Sequence, residues 1–331
     1  MGFHVAIAGV TGAVGQEFLN VLADRKFPIS KLTLLASERS KGKKITFKGK
    51  EYTVDTLTKD SFKGVDFALF SASAGRSREF RDAVVASKAL MIDNSSAFRM
   101  EEGTPLVIPE VNPQDARKHK GTIANPNCST IIMAVPMYPL YQAFGVARMH
   151  ISTYQAASGA GAKAMEELKE ESAAILAGKP YIRTVIPFQY AFNLFPHNSA
   201  FGSDGYCEEE TKMLKETRKI YGDPTLRINA ACVRVPVLRA HSEAVNVQFK
   251  KPATVEGIYA LLRKAPGVTV LEDPSKNRWP MPIDASGKYD IMVGRVRKDQ
   301  SQDNTFDLWM VGDQLLKGAA LNAVQIAELF V

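Results

Sequence analysis

The 331-residue sequence has few cysteines, no long apolar run and no block of basic residues, and each absence narrows the class of protein. Its three cysteines have no paired spacing and no Cys-x-x-Cys occurs, which argues against a disulfide framework. The five histidines are scattered, so the sequence predicts no metal site. The apolar stretch near the N-terminus is too short for a signal sequence or a membrane span. We therefore expect a cytoplasmic protein that does not bind membranes.

The charge balance is basic. The formal net charge is +7 and the pI is about 9.1, but no run of Lys and Arg reaches five residues. Basic residues spread in this way, without an interleaved aromatic platform, argue against nucleic-acid binding and favour an anionic substrate or cofactor. A hydrophobic content of 45% over this length predicts about two domains with buried cores.

The N-terminal third of the chain alternates short apolar strands with helical patterns. The predicted strands are Phe3–Ala8, Thr33–Ala36, Asp66–Phe70, Leu90–Asp93 and Thr122–Asn125. Apolar residues recur at helical spacing after the first strand, and a second helix is predicted around Ser77–Ser87. Strands that alternate with helices predict an α/β domain with a Rossmann-like, doubly wound parallel sheet.

The pattern changes after about residue 145. Met149, Ile151 and Thr153 alternate as in a half-buried strand, and a long helical pattern follows as "GAKAMEELKEESAAIL". Four extended runs come later: "ACVRVPVL", "EAVNVQF", "YDIMVGRV" and "FDLWMVG". They predict the antiparallel strands of an α+β domain. The last nineteen residues predict a helix with Asp313 as its N-cap.

A glycine-rich turn lies between the first strand and the first helix. Gly9, Gly12 and Gly15 have the spacing Gly-x-x-Gly-x-x-Gly, which differs from the common Gly-x-Gly-x-x-Gly. Glycines at such a turn let the backbone approach a pyrophosphate, which binds to the N–H groups and the positive dipole end of the helix. The strand before the turn and the helix after it supply the context of a dinucleotide site.

The residues after the second strand indicate which dinucleotide binds. In NAD sites an acidic residue about 20 residues beyond the glycine turn accepts the ribose 2′-hydroxyl. Here Ser37, Arg39 and Ser40 follow the strand, and hydroxyl and guanidinium groups suit a 2′-phosphate. Glu38 is an acidic group in the same stretch and is compatible with NAD. The stretch therefore favours NADP and leaves NAD open.

One of the three cysteines has a distinctive context. Cys128 stands in "NPNCST", after a predicted strand and at the start of a helical pattern. The dipole at a helix N-terminus stabilises a thiolate, but free cysteines are most often inert core residues. Local sequence therefore leaves both interpretations open for Cys128. Cys207 and Cys232 have no comparable flanks, and we expect them to be core or loop residues.

Five motifs occur in order from Gly9 to Ala327: "GVTGAVGQE", "NPNCST", "YQAASGAG", "CVRVPVLRAHSEAV" and "DQLLKGAALNAVQIAE". In this series the chain resembles the bacterial type of aspartate-β-semialdehyde dehydrogenase, almost from end to end. The resemblance implies a Rossmann-like domain joined to an α+β catalytic and dimerisation domain, as in glyceraldehyde-phosphate dehydrogenases. It places the first domain at residues 1–127 plus 313–331 and the second at 128–312.

The resemblance also assigns the catalytic groups. It implies that Cys128 is the acyl-forming nucleophile, that His241 is the acid/base, and that Gln155 orients the substrate. Imidazole suits proton transfer because its pKa lies near neutrality. His241 is then expected to take the thiol proton and later to assist the breakdown of a hemithioacetal.

Four charged residues match the substrate-binding positions of the family. The resemblance implies that Arg234 binds the α-carboxylate and that Glu209 binds the ammonium group, with the register of Glu208–Glu210 left open. It also implies that Arg99 and Lys212 bind phosphate. His241 lies seven positions after Arg234, and because this offset is odd, a regular strand would put the two side chains on opposite faces. We therefore predict a break near Pro236.

The resemblance assigns cofactor contacts along the whole chain. They are Gly9, Thr11, Gly12, Ala13, Val14, Ser37, Arg39, Ser40, the weaker candidate Thr56, Ser158, Gly159 and Gln314. Because Gln314 lies in the predicted last helix, this assignment implies that the helix returns to the first domain.

The implied reaction is the NADP-dependent reductive dephosphorylation of L-aspartyl-4-phosphate to L-aspartate 4-semialdehyde through a cysteine thioacyl intermediate. It belongs to lysine, threonine and methionine biosynthesis, and the family is generally homodimeric. Two alternatives stay open. One is an acyl-phosphate reductase like N-acetyl-γ-glutamyl-phosphate reductase, whose acetylated substrate has no ammonium group for Glu209. The other is a non-catalytic dinucleotide-binding redox sensor.

Overall fold

The computed structural model describes residues 2–331, which divide into two compact units. Unit 1 consists of the chain up to Asn127 together with Ala319–Val331, and unit 2 consists of Cys128–Gly318. The first boundary coincides with the expected one, whereas the chain leaves unit 2 six residues later than the expected Asp313. Within the described residues no helix has the length and apolarity that a membrane-spanning segment needs.

The strands are β1 (Phe3–Ala8), β2 (Ile29–Ala36), β3 (Lys44–Phe47), β4 (Lys50–Thr56), β5 (Phe67–Phe70), β6 (Leu90–Asp93), β7 (Thr122–Ala124), β8 (Val146–Gln155), β9 (Phe195–Pro196), β10 (Ile228–Arg234), β11 (His241–Phe249), β12 (Val268–Val270), β13 (Ile291–Lys298) and β14 (Thr305–Gly312). The α-helices are α1 (Ala13–Asp24), α2 (Ala74–Ala86), α3 (Cys128–Phe144), α4 (Ala162–Leu176), α5 (Glu208–Tyr221), α6 (Val255–Leu262), α7 (Pro282–Ala285) and α8 (Leu321–Glu328). A short π-helix, Leu316–Ala320, precedes α8.

Unit 1 contains the predicted Rossmann-like sheet, in the order β3-β4-β2-β1-β5-β6-β7. Every neighbouring pair is parallel except β3 and β4, and β1, β5 and β6 are almost entirely buried, as strands covered on both faces must be. All five predicted strands are present. The hairpin of β3 and β4 was not predicted, because its turn at Lys48 and Gly49 lacks the usual Asn-Gly sequence although both residues have positive φ.

Helix α8 belongs to unit 1. Its buried Asn322 donates hydrogen bonds to the carbonyl of Val107 at 3.0 Å and to Asn125 Oδ1 at 2.6 Å. Arg25 at the end of α1 forms two hydrogen bonds, each 2.6 Å long, with the Glu328 carboxylate. The predicted return of the last helix to the first domain is therefore correct for α8.

Unit 2 contains a second sheet with the order β12-β13-β14-β11-β8-β10-β9. The expectation that its strands are antiparallel is correct for β8, β11, β14 and β13 but wrong for β10, which runs parallel to β8. The short β12 is also parallel to its neighbour. β10 can run parallel to β8 because helix α5 precedes it and provides a crossover connection.

The register of three central strands determines the positions of the polar groups at one edge of this sheet. Gln155, the last residue of β8, pairs with Arg234, the last residue of β10. β11 runs the other way and begins at His241, beside the pair formed by Ser242 and Tyr154. Residues far apart in sequence thus reach the same edge of the sheet.

Two buried glutamates of α4 hold the segment 183–191 against that edge. Glu167 accepts hydrogen bonds from the backbone N–H groups of residues 184–186, at 2.5, 2.8 and 2.7 Å. Glu171 accepts two more from Tyr190 and its successor, each at 2.8 Å. The hydroxyl of the buried Tyr190 then reaches the carbonyl of the strand-end Gln155 at 3.5 Å.

We predict that Glu167→Gln lowers the free energy of unfolding by about 2 kcal/mol, because an amide offers one acceptor oxygen to donors that now share a carboxylate. Burial alone would raise the pKa of Glu167, but the hydrogen bonds from residues 184–186 outweigh burial and lower it. This stabilisation is complete above the ordinary pKa of glutamate, about 4.3, and is lost as the pH falls through the lowered value. Urea unfolding at several pH values measures both effects.

The matched control is Glu166→Gln, one residue earlier on the exposed side of α4, where Glu166 pairs only with Lys169 at 3.6 Å. It should unfold like the wild type. Equal stability of the Glu167 and Glu166 variants at neutral pH would show that the carboxylate does not hold the segment.

Candidate active site

The glycine turn of unit 1 has the predicted strand–turn–helix context. Gly9 has φ of +87°, and a Cβ there would lie 2.1 Å from the carbonyl oxygen of Ser71. A Cβ at Gly15 would lie 2.2 Å from the Gly9 oxygen, so both positions require glycine. Gly12 is the N-cap of α1 and gives the helix no side-chain cap. The exposed Thr11–Gly12 backbone and the half-buried Ala13–Val14 therefore form a cradle for a phosphate at a helix N-terminus.

The predicted 2′-phosphate pocket lies directly after β2. Ser37 precedes one turn of 3-10 helix, Glu38–Ser40, in which Arg39 is exposed and Ser40 is buried. The hydroxyl of Thr56 donates to the Glu38 carboxylate, and this hydrogen bond lowers the pKa of Glu38. Thr56, a predicted pocket residue, thus contacts Glu38, while Ser37, Arg39 and Ser40 fit a phosphate.

Cys128 is the first residue of α3, as predicted, and is the half-buried cysteine of the three. Cys207 and Cys232 are buried. Gly318, at the end of unit 2, packs against Cys128 so closely that a Cβ there would lie 2.9 Å from that of the cysteine. Glycine at this position therefore leaves room for the thiol-bearing residue.

His241 is fully buried at the start of β11. Its Nδ1 accepts a hydrogen bond from the backbone N–H of Ala156 at 3.0 Å, while Nε2 has no hydrogen-bond partner among the described residues. A Cβ at Gly159 would lie 3.1 Å from Nε2 and 3.5 Å from Nη1 of Arg234. The absence of a side chain at Gly159 therefore lets the His241 ring and the Arg234 guanidinium lie close to its backbone.

The surroundings of His241 fix its charge and tautomer. Burial, and then the neighbouring Arg234, lower the pKa of His241 to about 3, so the ring is neutral at neutral pH. Because Nδ1 accepts from Ala156, the single ring proton lies on Nε2. Nε2, the nitrogen beside Gly159 and Arg234, is therefore a hydrogen-bond donor in this state, and the role of His241 in proton transfer stays a prediction.

The predicted break between Arg234 and His241 is confirmed. β10 ends at Arg234, β11 begins at His241, and Ala240 between them has φ of +72°. Three nitrogens of the Arg234 guanidinium donate within unit 2: Nε to Asn198 Oδ1 and Nη2 to His197 Nε2, each at 2.9 Å, and Nη1 to the carbonyl of Ala156 at 3.5 Å. Nη1 also lies beside Gly159, next to the His241 ring.

Gln155 connects the strand end to the glutamate cluster. Its Oε1 accepts from the Thr153 hydroxyl at 3.1 Å, and its Nε2 donates to Glu209 Oε1 at the same distance. Glu209 is buried, and Lys212 approaches it at 3.8 Å and Glu208 at 3.0 Å. Among Glu208–Glu210, Glu209 is therefore the carboxylate that contacts the Gln155 amide.

The third carboxylate of this run has a different position. Glu210 accepts hydrogen bonds from the backbone N–H groups of Cys207 at 2.8 Å and Cys232 at 3.0 Å. It therefore caps α5 and ties the helix to β10, away from the Gln155 amide.

Gln314 does not lie in the last helix, which corrects the expectation. It belongs to unit 2, where its Oε1 accepts from the backbone N–H of Ala240 at 2.9 Å and its Nε2 donates to the hydroxyl of Ser158. The buried Asp313 next to it pairs with Arg239 at 2.7 Å. These contacts explain why residues 313–318 stay with unit 2.

The predicted site residues fall into two sets. Unit 2 contains Cys128, Gln155, Ser158, Gly159, Glu209, Lys212, Arg234, His241 and Gln314. Unit 1 carries the glycine turn, the residues after β2, and Arg99, which is buried and donates from Nη2 to the carbonyl of Asn94 at 2.8 Å.

Several residues in contact with these groups were missed from the sequence. Thr153, His197, Asn198 and Gly318 belong to no predicted motif role, although His197 and Asn198 stand out as adjacent polar residues in "FPHNSAF". In the part of the chain that the structure describes, no three His, Cys, Asp or Glu side chains cluster closely enough to hold a metal ion.

Known proteins match the chain over both units. The family model "Semialdehyde dehydrogenase, NAD binding domain" matches residues 4–119, and "Semialdehyde dehydrogenase, dimerisation domain" matches residues 137–317. Together with the fold and the glycine turn, these matches define the class: a two-domain semialdehyde dehydrogenase with a nicotinamide-dinucleotide-binding domain.

Relatives define the family more closely. Aspartate-semialdehyde dehydrogenase of Synechocystis sp. is 54% identical over 99% of this chain and 97% of its own length, and that of Aquifex aeolicus is 51% identical over 100% and 98%. The crystal structure of aspartate semialdehyde dehydrogenase II from Vibrio cholerae complexed with ASA superimposes with a TM-score of 0.97, at 42% identity, over 100% of this chain and 98% of that chain. The chain belongs to the aspartate-semialdehyde dehydrogenase family, which confirms the resemblance.

We predict that Gly15→Ala weakens the binding of a nicotinamide dinucleotide at least tenfold, because its Cβ would lie 2.2 Å from the Gly9 oxygen and 2.7 Å from Val10 Cα. The turn must shift to relieve these contacts. Fluorescence titration with NADPH and NADH measures the loss, and a melting curve measures the accompanying loss of stability. Gly75→Ala is the matched control, since a Cβ on that glycine of α2 meets no atom within 4 Å. Unchanged dinucleotide affinity in the Gly15 variant would refute the role of the turn.

Proposed function

We propose that this chain catalyses the reversible, NADP-dependent reductive dephosphorylation of L-aspartyl-4-phosphate to L-aspartate 4-semialdehyde. The observation that carries the proposal is the polar cluster at the ends of the central strands of the second sheet. There Nε2 of His241, which has no hydrogen-bond partner among the described residues, and Nη1 of Arg234 lie beside Gly159, and Gln155 donates a hydrogen bond to Glu209. A redox sensor without turnover needs no such set of groups. Membership of the family supports the proposal independently.

The proposed reaction uses Cys128 as the nucleophile. Its thiolate attacks the acyl carbon of the acyl phosphate, the bond from that carbon to the phosphate oxygen breaks, and a thioester forms on Sγ. The nicotinamide, when bound, supplies the hydride that reduces the thioester carbonyl. Breakage of the C–S bond in the resulting oxyanion releases the aldehyde and restores the thiolate. The position of Cys128 at the first turn of α3 supports this role, since the helix dipole favours the thiolate.

His241 is proposed to stabilise the oxyanions rather than to remove a proton. Both tetrahedral species carry negative charge on the former carbonyl oxygen, and each collapses without an added proton once the thiolate is formed. The neutral ring, with its proton on the buried Nε2, supplies a preorganised hydrogen-bond donor for that oxygen. A neutral imidazole is suited to this task because it polarises a carbonyl without losing its proton.

The charges of unit 2 support an amino acid as the substrate. The Arg234 guanidinium suits the α-carboxylate, and the buried Glu209 suits a free ammonium group. This pairing favours the aspartyl substrate over the N-acetylated alternative, whose neutral amide cannot form an ion pair with Glu209. Lys212, half-buried beside Glu209, and Arg99 of unit 1 are proposed to bind phosphate.

The cofactor is proposed to be NADP. The cradle of Thr11–Val14 fits the pyrophosphate, and Ser37, Arg39 and Ser40 offer hydroxyl and guanidinium donors for a 2′-phosphate. Glu38 already accepts from Thr56 and pairs with Lys41 at 3.6 Å, which supports the phosphate over the 2′-hydroxyl as ligand. We also propose a place in lysine, threonine and methionine biosynthesis and, because the nucleophile is a free thiol, in the reducing cytoplasm.

We predict that the purified protein, given aspartate 4-semialdehyde, phosphate and NADP, produces absorbance at the NADPH band, and that NAD gives a lower rate at equal concentration. N-acetyl-glutamate semialdehyde should give no comparable rate, because its neutral amide cannot form the ion pair with Glu209 that a free ammonium group forms. Absence of signal with the aspartyl substrate, or equal rates with both aldehydes, would contradict the proposed substrate.

Cys128→Ala is the matched control within this assay. It should bind NADPH as the wild type does, because the dinucleotide cradle lies in unit 1, but it should show no turnover. Cys207→Ala removes a buried cysteine of the same unit and should retain turnover. Persistent turnover in the Cys128 variant would remove the thioacyl mechanism.

A homodimer is also proposed. Unit 2 matches a dimerisation domain, and one face of its sheet carries half-buried and exposed residues that include His150, Tyr154, Ala244 and Trp309. The rings of Tyr154 and Trp309 are 5.5 Å apart on this face. Aromatic residues on a sheet face of this kind suit contact with a second copy of the chain.

We predict that Ala244→Arg converts the dimer into a monomer, because Ala244 pairs in register with Ser152 and Trp309 at the centre of this face. Light scattering should give twice the 36.3 kDa of one chain for the wild type and a single mass for the variant. Ala86→Arg at the exposed end of α2 is the control and should stay dimeric. A dimeric Ala244 variant would place the interface elsewhere.

A further inference from the structure

The guanidinium of Arg234 is held along one edge by residues that the reaction does not use. Nε donates to Asn198 Oδ1 and Nη2 donates to Nε2 of the buried His197, each at 2.9 Å. These two donors form the Nε–Nη2 edge of the fork. The edge that remains for a bidentate ligand is therefore Nη1–Nη2, where Nη1 lies beside Gly159 and makes one long hydrogen bond of 3.5 Å to the carbonyl of Ala156.

The other ring nitrogen of His197 leads towards the second substrate-binding group. Because a guanidinium can only donate, Nε2 of His197 accepts from Arg234. Nδ1 lies 3.0 Å from the hydroxyl of Ser199 and 3.2 Å from its backbone N–H, and that hydroxyl accepts from the backbone N–H of Glu209 at 3.2 Å. One imidazole thus connects the side chain of Arg234 to the start of the helix that carries Glu209.

The backbone holds His197 firmly in this position. β9 pairs with the end of β10, with Phe195 opposite Arg234, and the N–H of His197 donates to the carbonyl of Cys232 at 2.8 Å. Burial lowers the pKa of His197 to about 4, so the ring is neutral and keeps a lone pair for the guanidinium at neutral pH. At neutral pH His197 therefore accepts a hydrogen bond from Arg234 and stays uncharged.

We propose that His197 is a positioning residue that sets the orientation of Arg234 and its spacing from Glu209, and that it thereby determines recognition of the α-amino acid end of the substrate. This inference rests on the proposed function, since it assigns the carboxylate to Arg234 and the ammonium group to Glu209. His197 is proposed to contact neither the carboxylate nor the ammonium group of the substrate. It acts through Arg234 and through Ser199. Asn198 supports the same edge of the guanidinium.

Three substitutions at one position test the proposal with the full-length protein, aspartate 4-semialdehyde, phosphate and NADP. His197→Leu removes both ring hydrogen bonds and should raise the KM for the semialdehyde about ten- to hundredfold, with kcat and the KM for NADP little changed. His197→Gln carries an acceptor oxygen to the position of Nε2 and should restore a KM close to that of the wild type. His197→Asn reaches only the position of Nδ1, so it should behave like the leucine variant.

His4→Leu is the matched control. It removes a buried imidazole with two hydrogen bonds of 2.8 Å, to Gly64 and Thr33, in unit 1 and should leave the KM for the semialdehyde unchanged. An unchanged KM in His197→Leu overturns the inference, as does a glutamine variant no better than the asparagine variant. If the leucine variant does not fold, the glutamine and asparagine variants decide. Absence of turnover in the wild type overturns the proposed function instead.

Discussion

The register of three strands is the constraint on which the catalytic groups of unit 2 depend. β8 and β10 are parallel and end together at the paired residues Gln155 and Arg234, while β11 runs the opposite way and begins at His241. A slip of one residue in any of these pairings would turn the affected side chains to the other face of the sheet. The hydrophobic positions of the same strands fix the register, because they face the core in alternation. The packing that fixes the register of these strands therefore also fixes the positions of the site residues.

Two neutral histidines on either side of Arg234 have opposite roles, and their hydrogen-bond partners determine which role each takes. A backbone N–H occupies Nδ1 of His241, so its proton lies on Nε2 and that end of the ring donates. The guanidinium occupies Nε2 of His197, so this ring accepts from Arg234. Burial keeps both rings uncharged beside the cation, with pKa values of about 3 and about 4. Protonating either ring would place a second positive charge next to the guanidinium.

The sequence predicted the structural features that depend on residues close together in the chain. Strands β1 and β6, the helix that begins at Cys128 and the break before His241 follow from apolar runs, turn residues and a proline. The direction of β10 and the contacts of His197 depend on residues that are distant in sequence and become neighbours only in the folded chain. The sequence around β10 and His197 therefore does not predict them. The catalytic residues were found through a series of motifs whose physical meaning appears only once β8, β10 and β11 are paired.

Gln314 was expected in the last helix, but it instead stabilises the turn that precedes His241. Ala240, directly before His241, has φ of +72°, a conformation that costs a non-glycine residue energy and persists only where its surroundings enforce it. Gln314 accepts from the Ala240 N–H and donates to Ser158, and so ties the strained turn to the loop that carries Gly159. A helix at this point would direct the amide elsewhere, because its backbone would follow a regular spiral. The irregular segment before α8 therefore holds the turn before His241 and the loop of Ser158 and Gly159 to each other.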